Sequence, residues 1–248
     1  MPTRNLVIRK TLPSPLLLSA TLHDPVQPAL EKSAFALLPP EQAASIAGNR
    51  REQDRRLRTL VRLLLAEGLL LLEGRPFQDS LGKLAQTAAG RPFVRDCDWE
   101  CSFSHSHELA LCLIGHRDWR GRLGIDAERL HPLPLEEVAV AFCAEERNDI
   151  ARATDAQGRL FQLWTRKEAA LKALGSGFLQ EPATINLLSP RPVPIMPDLW
   201  SANLALQGLS AYAVAIATEK GPISSIRWMS PYAAGQDTQL YRVAEVLP

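Results

Sequence analysis

Apolar residues recur every three to four positions along two long stretches of the chain, and each stretch ends at a glycine. Over 50–72, Leu57, Leu60, Val61, Leu64 and Leu65 form one stripe, with Asn49 at the N-cap position and Gly74 past the end. This predicts a long amphipathic helix. The second stretch, 156–174, is dominated by strong helix formers and stops at Gly175, so a second helix is expected there. Helices are also predicted over 41–46, after Pro39-Pro40, and over 135–153.

A period of two appears elsewhere. Residues 109–114 form an apolar run, and in 123–128 Ile125 and Ala127 point one way, Asp126 and Glu128 the other. In 101–106 an extended backbone puts Cys101, Phe103 and His105 on one face. Short strands are expected at 184–188, 201–206, 209–218 and 224–229, and a turn entering a strand at 90–94. Prolines at 13, 15, 25 and 28 make residues 1–28 an extended arm or first strand, and 190–197 a loop is expected from its prolines. This mixture favours an α+β fold over a doubly wound sheet.

Charge interrupts the pattern in three places. On the second helix, Trp164, Glu168 and Lys172 are spaced by four and share a face with Leu160, Phe161 and Leu171. A carboxylate and an ammonium thus run along the aromatic side, where an amphipathic helix normally keeps charge away. Read alone, Glu168 and Lys172 are equally an exposed pair worth a few tenths of a kcal/mol. Asp126 and Glu128, on one strand face, repel each other unless a cation sits between them, though on an exposed edge they mean little. Six of the thirteen residues from Arg50 to Arg62 are arginine, and Arg58 and Arg62 lie near one helix face. That is either a solvated basic face or an anion site.

The 248 residues suffice for a substantial core, and 46% hydrophobic with 22% charged residues is the balance of a soluble globular protein. A net charge of +1 excludes a strongly basic nucleic-acid binder. The longest apolar run, 63–72, is broken by Glu67 and Gly68, so no membrane span is predicted, and the proline-interrupted N-terminus predicts no signal peptide. Four cysteines in this length make no disulfide framework, and a reducing cytoplasm is expected. Cys97, Cys101, His105 and His107 lack the spacing of common zinc sites, and the cysteines are read as buried small hydrophobes.

Together, Asp126, Glu128 and Glu168 on two elements, with Lys172 one turn beyond, describe a Mg²⁺ site more than a calcium cage. Lys172 and the arginines would hold phosphates that the metal bridges, which implies chemistry on a diphosphate. Gly124-Ile125-Asp126-Ala127-Glu128, followed about forty residues on by Trp164-Thr165-Arg166-Lys167-Glu168-Ala169-Ala170-Leu171-Lys172, resembles the paired motifs of the 4′-phosphopantetheinyl transferases. The likeness is to their larger monomeric class, typified by the surfactin synthetase activator. Gly90-Arg91-Pro92 matches the family's Gly-Lys-Pro turn, with arginine for lysine, and Phe103-Ser104-His105-Ser106 its Ile-Ser-His-Ser segment. Ser102 stands where many members carry asparagine, and the first forty residues match no motif.

The resemblance implies two pseudo-symmetric α+β halves, 1–120 and 121–248, with coenzyme A in the cleft between them. Asp126, Glu128 and Glu168 would hold Mg²⁺, and Lys172 would contact the diphosphate. Arg91 and Pro92 would lie by the adenine, while Ser104, His105 and Arg58 would hold phosphates, with Arg56 the alternative to Arg58. Lys167 is carried over as a motif residue on the coenzyme side. The implied reaction moves phosphopantetheine to a serine of an apo acyl or peptidyl carrier protein, leaving adenosine 3′,5′-bisphosphate. Such an enzyme is a cytoplasmic monomer serving polyketide, nonribosomal peptide or fatty acid synthesis. Glu168 is the best-placed base, with Asp126 and Lys172 beside it. Two rivals are a Mg²⁺-dependent phosphohydrolase and a catalytically silent coenzyme A or carrier-protein binding module.

Overall fold

The structure is a computed structural model and describes residues 14–26, 28–175, 181–188, 199–221, 223, 225–232, 241–242 and 245–247. The first thirteen residues of the predicted arm and the predicted loop over 190–197 lie outside them.

The chain is α+β. It begins with β1 (Leu16–Thr21), then α1 (Pro28–Leu37), α2 (Pro40–Ala47), α3 (Glu52–Glu73) and α4 (Phe77–Gly82). Strands β2 (Leu84–Gln86), β3 (Pro92–Val94), β4 (Trp99–Ser106) and β5 (Leu109–His116) follow, and one turn of helix, α5 (Arg117–Arg120), leads onward. Next come β6 (Leu123–Arg129), α6 (Leu135–Val138), α7 (Ala144–Arg152), α8 (Ala156–Leu174), β7 (Trp200–Ala205) and β8 (Tyr212–Thr218). The last strands are β9 (Arg227–Met229), β10 (Tyr241–Arg242) and β11 (Glu245–Leu247).

One plan occurs twice. A strand is followed by helices and then by an antiparallel pair, and the first strand bonds antiparallel to the last: β1 to β5 with β4 beyond, β6 to β8 with β7 beyond. The result is two sheets, ordered β10-β9-β1-β5-β4-β3-β2 and β11-β7-β8-β6. The closing segment feeds both, since β9 runs parallel to β1 while β11 pairs with β7.

Strand alternation sets the layers. Leu16, Leu18, Ala20, Cys112 and Ile114 face α3 and its buried leucines. The opposite parity, Leu17, Leu109, Leu111 and Leu113, meets Leu123, Ile125, Val214 and Ile216 between the sheets. On the far side α8 lies against the second sheet through Ala169, Ala170 and Ala173, facing Ala215 and Ala217. Small residues on both surfaces let helix and sheet approach closely.

Several expectations are corrected. Asn49 does not cap α3, which starts from Arg51; its amide donates to the Ser45 and Ile46 carbonyls and closes α2 instead. The predicted helix over 135–153 is broken, because buried Phe142 and then Cys143 are extended, and the Glu146 carboxylate accepts the Cys143 N–H at 3.0 Å to start α7. Residues 182–184 form a 3-10 turn where a strand over 184–188 was expected. Sequence periodicity also did not announce α1, α4 or β2.

Candidate active site

The site forms where β6 is sandwiched between α8 and the edge of β4. Gly124 makes this possible: a Cβ there would stand 1.8 Å from the Ala169 carbonyl oxygen, so α8 rests on bare backbone. Two residues along the same strand face, Asp126 is 4% exposed and turned toward α8. The Lys172 ammonium reaches down from the helix to Asp126 Oδ1 at 2.7 Å and also donates to the carbonyls of Ile125 (2.9 Å) and Phe103 (3.2 Å). The face-sharing predicted for Asp126 and Glu128, and for Glu168 and Lys172, therefore brings strand and helix charges together.

β4 and β6 exchange no backbone hydrogen bonds. Instead the hydroxyls of Ser102, Ser104 and Ser106 accept the N–H groups of Ile125, Ala127 and Arg129, each at 3.1 Å. Because β8 takes the other edge of β6, these hydroxyls satisfy donors that would otherwise be left open in a packed interior. Two of the serines also reach the carboxylates: Ser104 Oγ donates to Asp126 Oδ1 at 3.0 Å, and Ser106 Oγ to Glu128 Oε2 at 2.8 Å.

The carboxylates sense one another. Burial, then the charge of Asp126, pushes the Glu168 carboxyl above its ordinary pKa, against the pull of Lys172. Burial also raises Glu128, opposed by its Ser106 hydrogen bond and reinforced by Asp126. Asp126 Oδ2 is buried without a hydrogen-bond partner. Among the described residues no three His, Cys, Asp or Glu side chains already converge as a metal cage. Even so, an orphaned carboxylate oxygen flanked by two mutually repelled carboxyls suits a hard divalent cation that keeps several non-protein ligands.

On the other face of β4 stands a cationic wall. Phe103 and His105 point toward α3, where the Arg62 guanidinium lies 6.0 Å from the Phe103 ring centre and donates to Gln42 at 2.8 Å. Burial and the neighbouring Arg58 lower Arg62 to about 10. Arg58 is half-buried, with Nε lacking a partner. Arg56 is spent on Glu31 at 3.0 Å, which leaves Arg58 the arginine available to an anion. His105 is held down to about 4 by burial and by Arg58 and Lys172, so it is neutral near pH 7.

A pH-dependent stability follows from His105. Between pH 6.5 and about 4 the unfolded chain takes up a proton that the folded site refuses, so stability rises with pH in this window and is lost as pH falls through it. His105→Gln should remove this component, worth on the order of 3 kcal/mol, with little change above pH 7. Melting curves of both proteins between pH 4 and 7.5 read it. Parallel losses on acidification would exclude His105 as the source.

Other expected site residues lie elsewhere. Lys167, one position and about 100° round the helix from Glu168, points away from β6. It is 1% exposed and ion-paired to Glu146 at 2.8 Å, with its ammonium also on the carbonyls of Pro182 and Ile185. This corrects its assignment to the coenzyme side: its charge is consumed in joining α7 and the 182–187 segment to α8. Trp164 packs its ring against Phe142 at 6.2 Å. Ser104 is also corrected. Its proton goes to Asp126, and its oxygen already accepts from Ala127 N–H and, at 3.3 Å, from Lys172, so no donor is left for a phosphate.

Arg91 contacts Glu100 at 2.9 Å, a charge contact whose N–H does not align as a hydrogen bond. It lines an open cavity of about 440 Å³ with Thr87, Phe93, Arg117, Arg122 and Glu219. Pro92, in β3, offers its carbonyl to the Cys101 thiol at 3.8 Å. Cys101 and Cys97 are buried free thiols, Cys97 beside Glu73. Residues to which sequence reasoning gave no role in the site are Ser106, Ser102 and Glu146. The alternation of serine at 102, 104 and 106 was the available signal for the first two.

Comparison with known proteins finds similarity over part of the chain. The model described as the 4′-phosphopantetheinyl transferase superfamily matches residues 122–217. The 4′-phosphopantetheinyl transferase HetI of Nostoc sp. is 33% identical over 103 residues, 38% of this chain and 42% of that protein. The 4′-phosphopantetheinyl transferase gsp of Aneurinibacillus migulanus is 34% identical over 90 residues, 36% of each. The chain thus spans less than half the length of these curated relatives. A crystal structure of Thermotoga maritima holo-[acyl-carrier-protein] synthase (AcpS) aligns with 41% of this chain and 64% of that one, at 16% identity and a TM-score of 0.34, a likeness that carries no argument. No helix among the described residues is long and apolar enough to cross a membrane. The matched residues 122–217 hold β6 and α8, the two elements that carry Asp126, Glu128, Glu168 and Lys172.

Proposed function

We propose that the protein transfers 4′-phosphopantetheine from coenzyme A to a serine of an apo acyl or peptidyl carrier protein, as a Mg²⁺-dependent cytoplasmic monomer. The observation that carries this reading is buried Asp126, with one oxygen on Lys172 and the other orphaned, set between Glu128 and Glu168. The two relatives bear the transferase name, which supports the same chemistry here.

In this reading the carrier serine oxygen forms a bond to the phosphorus that bears the pantetheine arm. The bond from that phosphorus to the bridging oxygen breaks, and adenosine 3′,5′-bisphosphate leaves. Glu168, half-buried and free of any hydrogen bond or ion pair among the described residues, takes the serine proton. Lys172 needs only to swing from Asp126 to meet charge on the departing phosphate. Asp126, Glu128 and Glu168 would hold Mg²⁺, which when bound neutralises the diphosphate oxygens. Arg58, with Arg62 and neutral His105 behind it, supports a phosphate further from the reacting bond. Arg91 and Pro92 belong to the adenine side, and the halves 1–120 and 121–248 each supply one wall.

Mass spectrometry of an apo carrier protein incubated with enzyme, coenzyme A and Mg²⁺ tests this. The expected result is a serine carrying phosphopantetheine and no product when the metal is chelated. Unmodified carriers of several types despite tight coenzyme A binding would leave a silent binding module. Phosphate release without any acceptor protein would make the chain a hydrolase.

A further inference from the structure

Ser104 and Ser106 repeat one arrangement two residues apart. Each hydroxyl accepts a backbone N–H from the edge of β6, which leaves its single proton to be donated, and each donates it to a carboxylate on the same strand. The partner N–H belongs to the residue immediately after that carboxylate: Ala127 after Asp126, Arg129 after Glu128. The pairing holds a constant register along two parallel strands, with Ser102 and Ile125 N–H as its first rung. A hydroxyl fixed by a backbone donor cannot rotate away without giving up a buried hydrogen bond, so the carboxylate it touches is held at a set angle to the strand.

We propose that Ser106 and Ser104 are positioning residues, hydroxyls of the first sheet that aim the second sheet's Glu128 and Asp126 at a divalent cation. They are not contacts to the substrate. The inference rests on reading those carboxylates as cation ligands. Its independent support is Asp126 Oδ2: Ser104 and Lys172 both occupy Oδ1, and the buried second oxygen is left without a partner. Ser106 is the cleaner test, because it touches Glu128 alone among the charged groups and has no contact with Lys172.

The experiment uses Mn²⁺ as the probe, with free Mn²⁺ read by electron paramagnetic resonance in titrations of the whole chain. It is run with and without coenzyme A, and coenzyme A affinity is measured separately in chelator. Ser106→Ala should weaken Mn²⁺ by about tenfold, the low end for groups that orient metal ligands. Coenzyme A affinity without metal should stay within about twofold, since a positioning hydroxyl makes no substrate contact. Ser106→Thr, which keeps the hydroxyl, should restore Mn²⁺ binding. In a Glu128→Ala background the further change Ser106→Ala should add nothing, because its partner is already gone.

If Ser106→Ala does not fold, Ser106→Cys, of similar size but a weak donor, is read the same way. Wild-type Mn²⁺ affinity in a folded Ser106→Ala or Ser106→Cys protein overturns the proposal. So does a metal-independent loss of coenzyme A binding, which would make Ser106 a substrate contact. Failure of the wild-type chain to bind Mn²⁺ in either titration removes the metal-site reading itself, a separate and recognisable result.

Discussion

Glu168→Gln is expected to lower kcat by roughly 10²–10⁴, the contribution of a positioned proton acceptor. The substitution keeps the shape and one carbonyl-type oxygen but removes the charge and most of the proton affinity. Coenzyme A affinity should fall far less, because Asp126 and Glu128 are untouched on β6 and Lys172 keeps its hydrogen bond to Asp126. Thermal stability should change little, since Glu168 makes no hydrogen bond or ion pair among the described residues and its neighbour Asp126 is a like charge. The comparison is with Asp126→Asn, which strips a proposed metal ligand from the strand and removes the counter-charge of Lys172. That variant should raise the Mg²⁺ requirement and be partly rescued by excess metal. Kinetics at saturating Mg²⁺ discriminate. Recovery of Glu168→Gln to near the wild-type rate would reduce Glu168 to a ligand and move the base elsewhere.

Gly124→Ala should damage both stability and rate. The added methyl would fall 1.8 Å from the Ala169 carbonyl oxygen and 2.9 Å from the Ala173 nitrogen. Both obstacles are helix backbone, so no rotamer change relieves them and α8 has to move as a body. Overpacking of this kind costs about 1–3 kcal/mol, a loss of roughly 2–12 °C in Tm for a chain of this size. The kinetic cost is larger. Glu168 and Lys172 ride on the displaced helix while Asp126 and Glu128 stay on the strand, and a shift of about 1 Å in such a constellation can cost on the order of 10²-fold. Gly68→Ala is the control: its methyl would meet the side-chain tips of Ile114 and Leu18, which can turn aside. It should melt lower with its rate nearly intact. A Gly124→Ala protein with unchanged Tm and rate would mean that α8 does not rest on the strand as described.

The parts of the fold that could be read from sequence are those with a period and a terminator. The helices α3 and α8 showed their stripes and stopped at Gly74 and Gly175, both in the left-handed region that glycine tolerates. The alternation of Ile125-Asp126-Ala127-Glu128 placed the two carboxylates on one face, and helical spacing brought Glu168 and Lys172 to it. What could not be read is partnership across the chain. Lys167 and Glu168 are adjacent in sequence, and only the position of Glu146 reveals that one side chain goes into the core. The motif segment also gave Ser104 to a phosphate, because a hydroxyl's acceptor and donor commitments are set by β6 and α8, not by its own strand. Phe142 broke a helix that local propensity favoured, since its ring is fully buried and packs against Trp164. Asn49 had two helix ends within reach, and propensity does not say which one it caps.

The parallel pairing of β1 with β9 joins positions 211 residues apart, a separation also bridged by the Ser14–Ser225 and Ser19–Ser230 hydroxyl contacts. Order of synthesis therefore matters to this molecule. At about 5–20 residues per second, β1 emerges roughly 10–40 s before its partner has been made. Until then the nascent first sheet offers an open edge of Leu16, Leu17 and Leu18, the kind of strand to which other chains add. Translation rate and the capacity to shield that edge on the ribosome thus become determinants of yield, and slowing the codons of the last thirty residues should cost soluble protein even though every residue of the site is already in place.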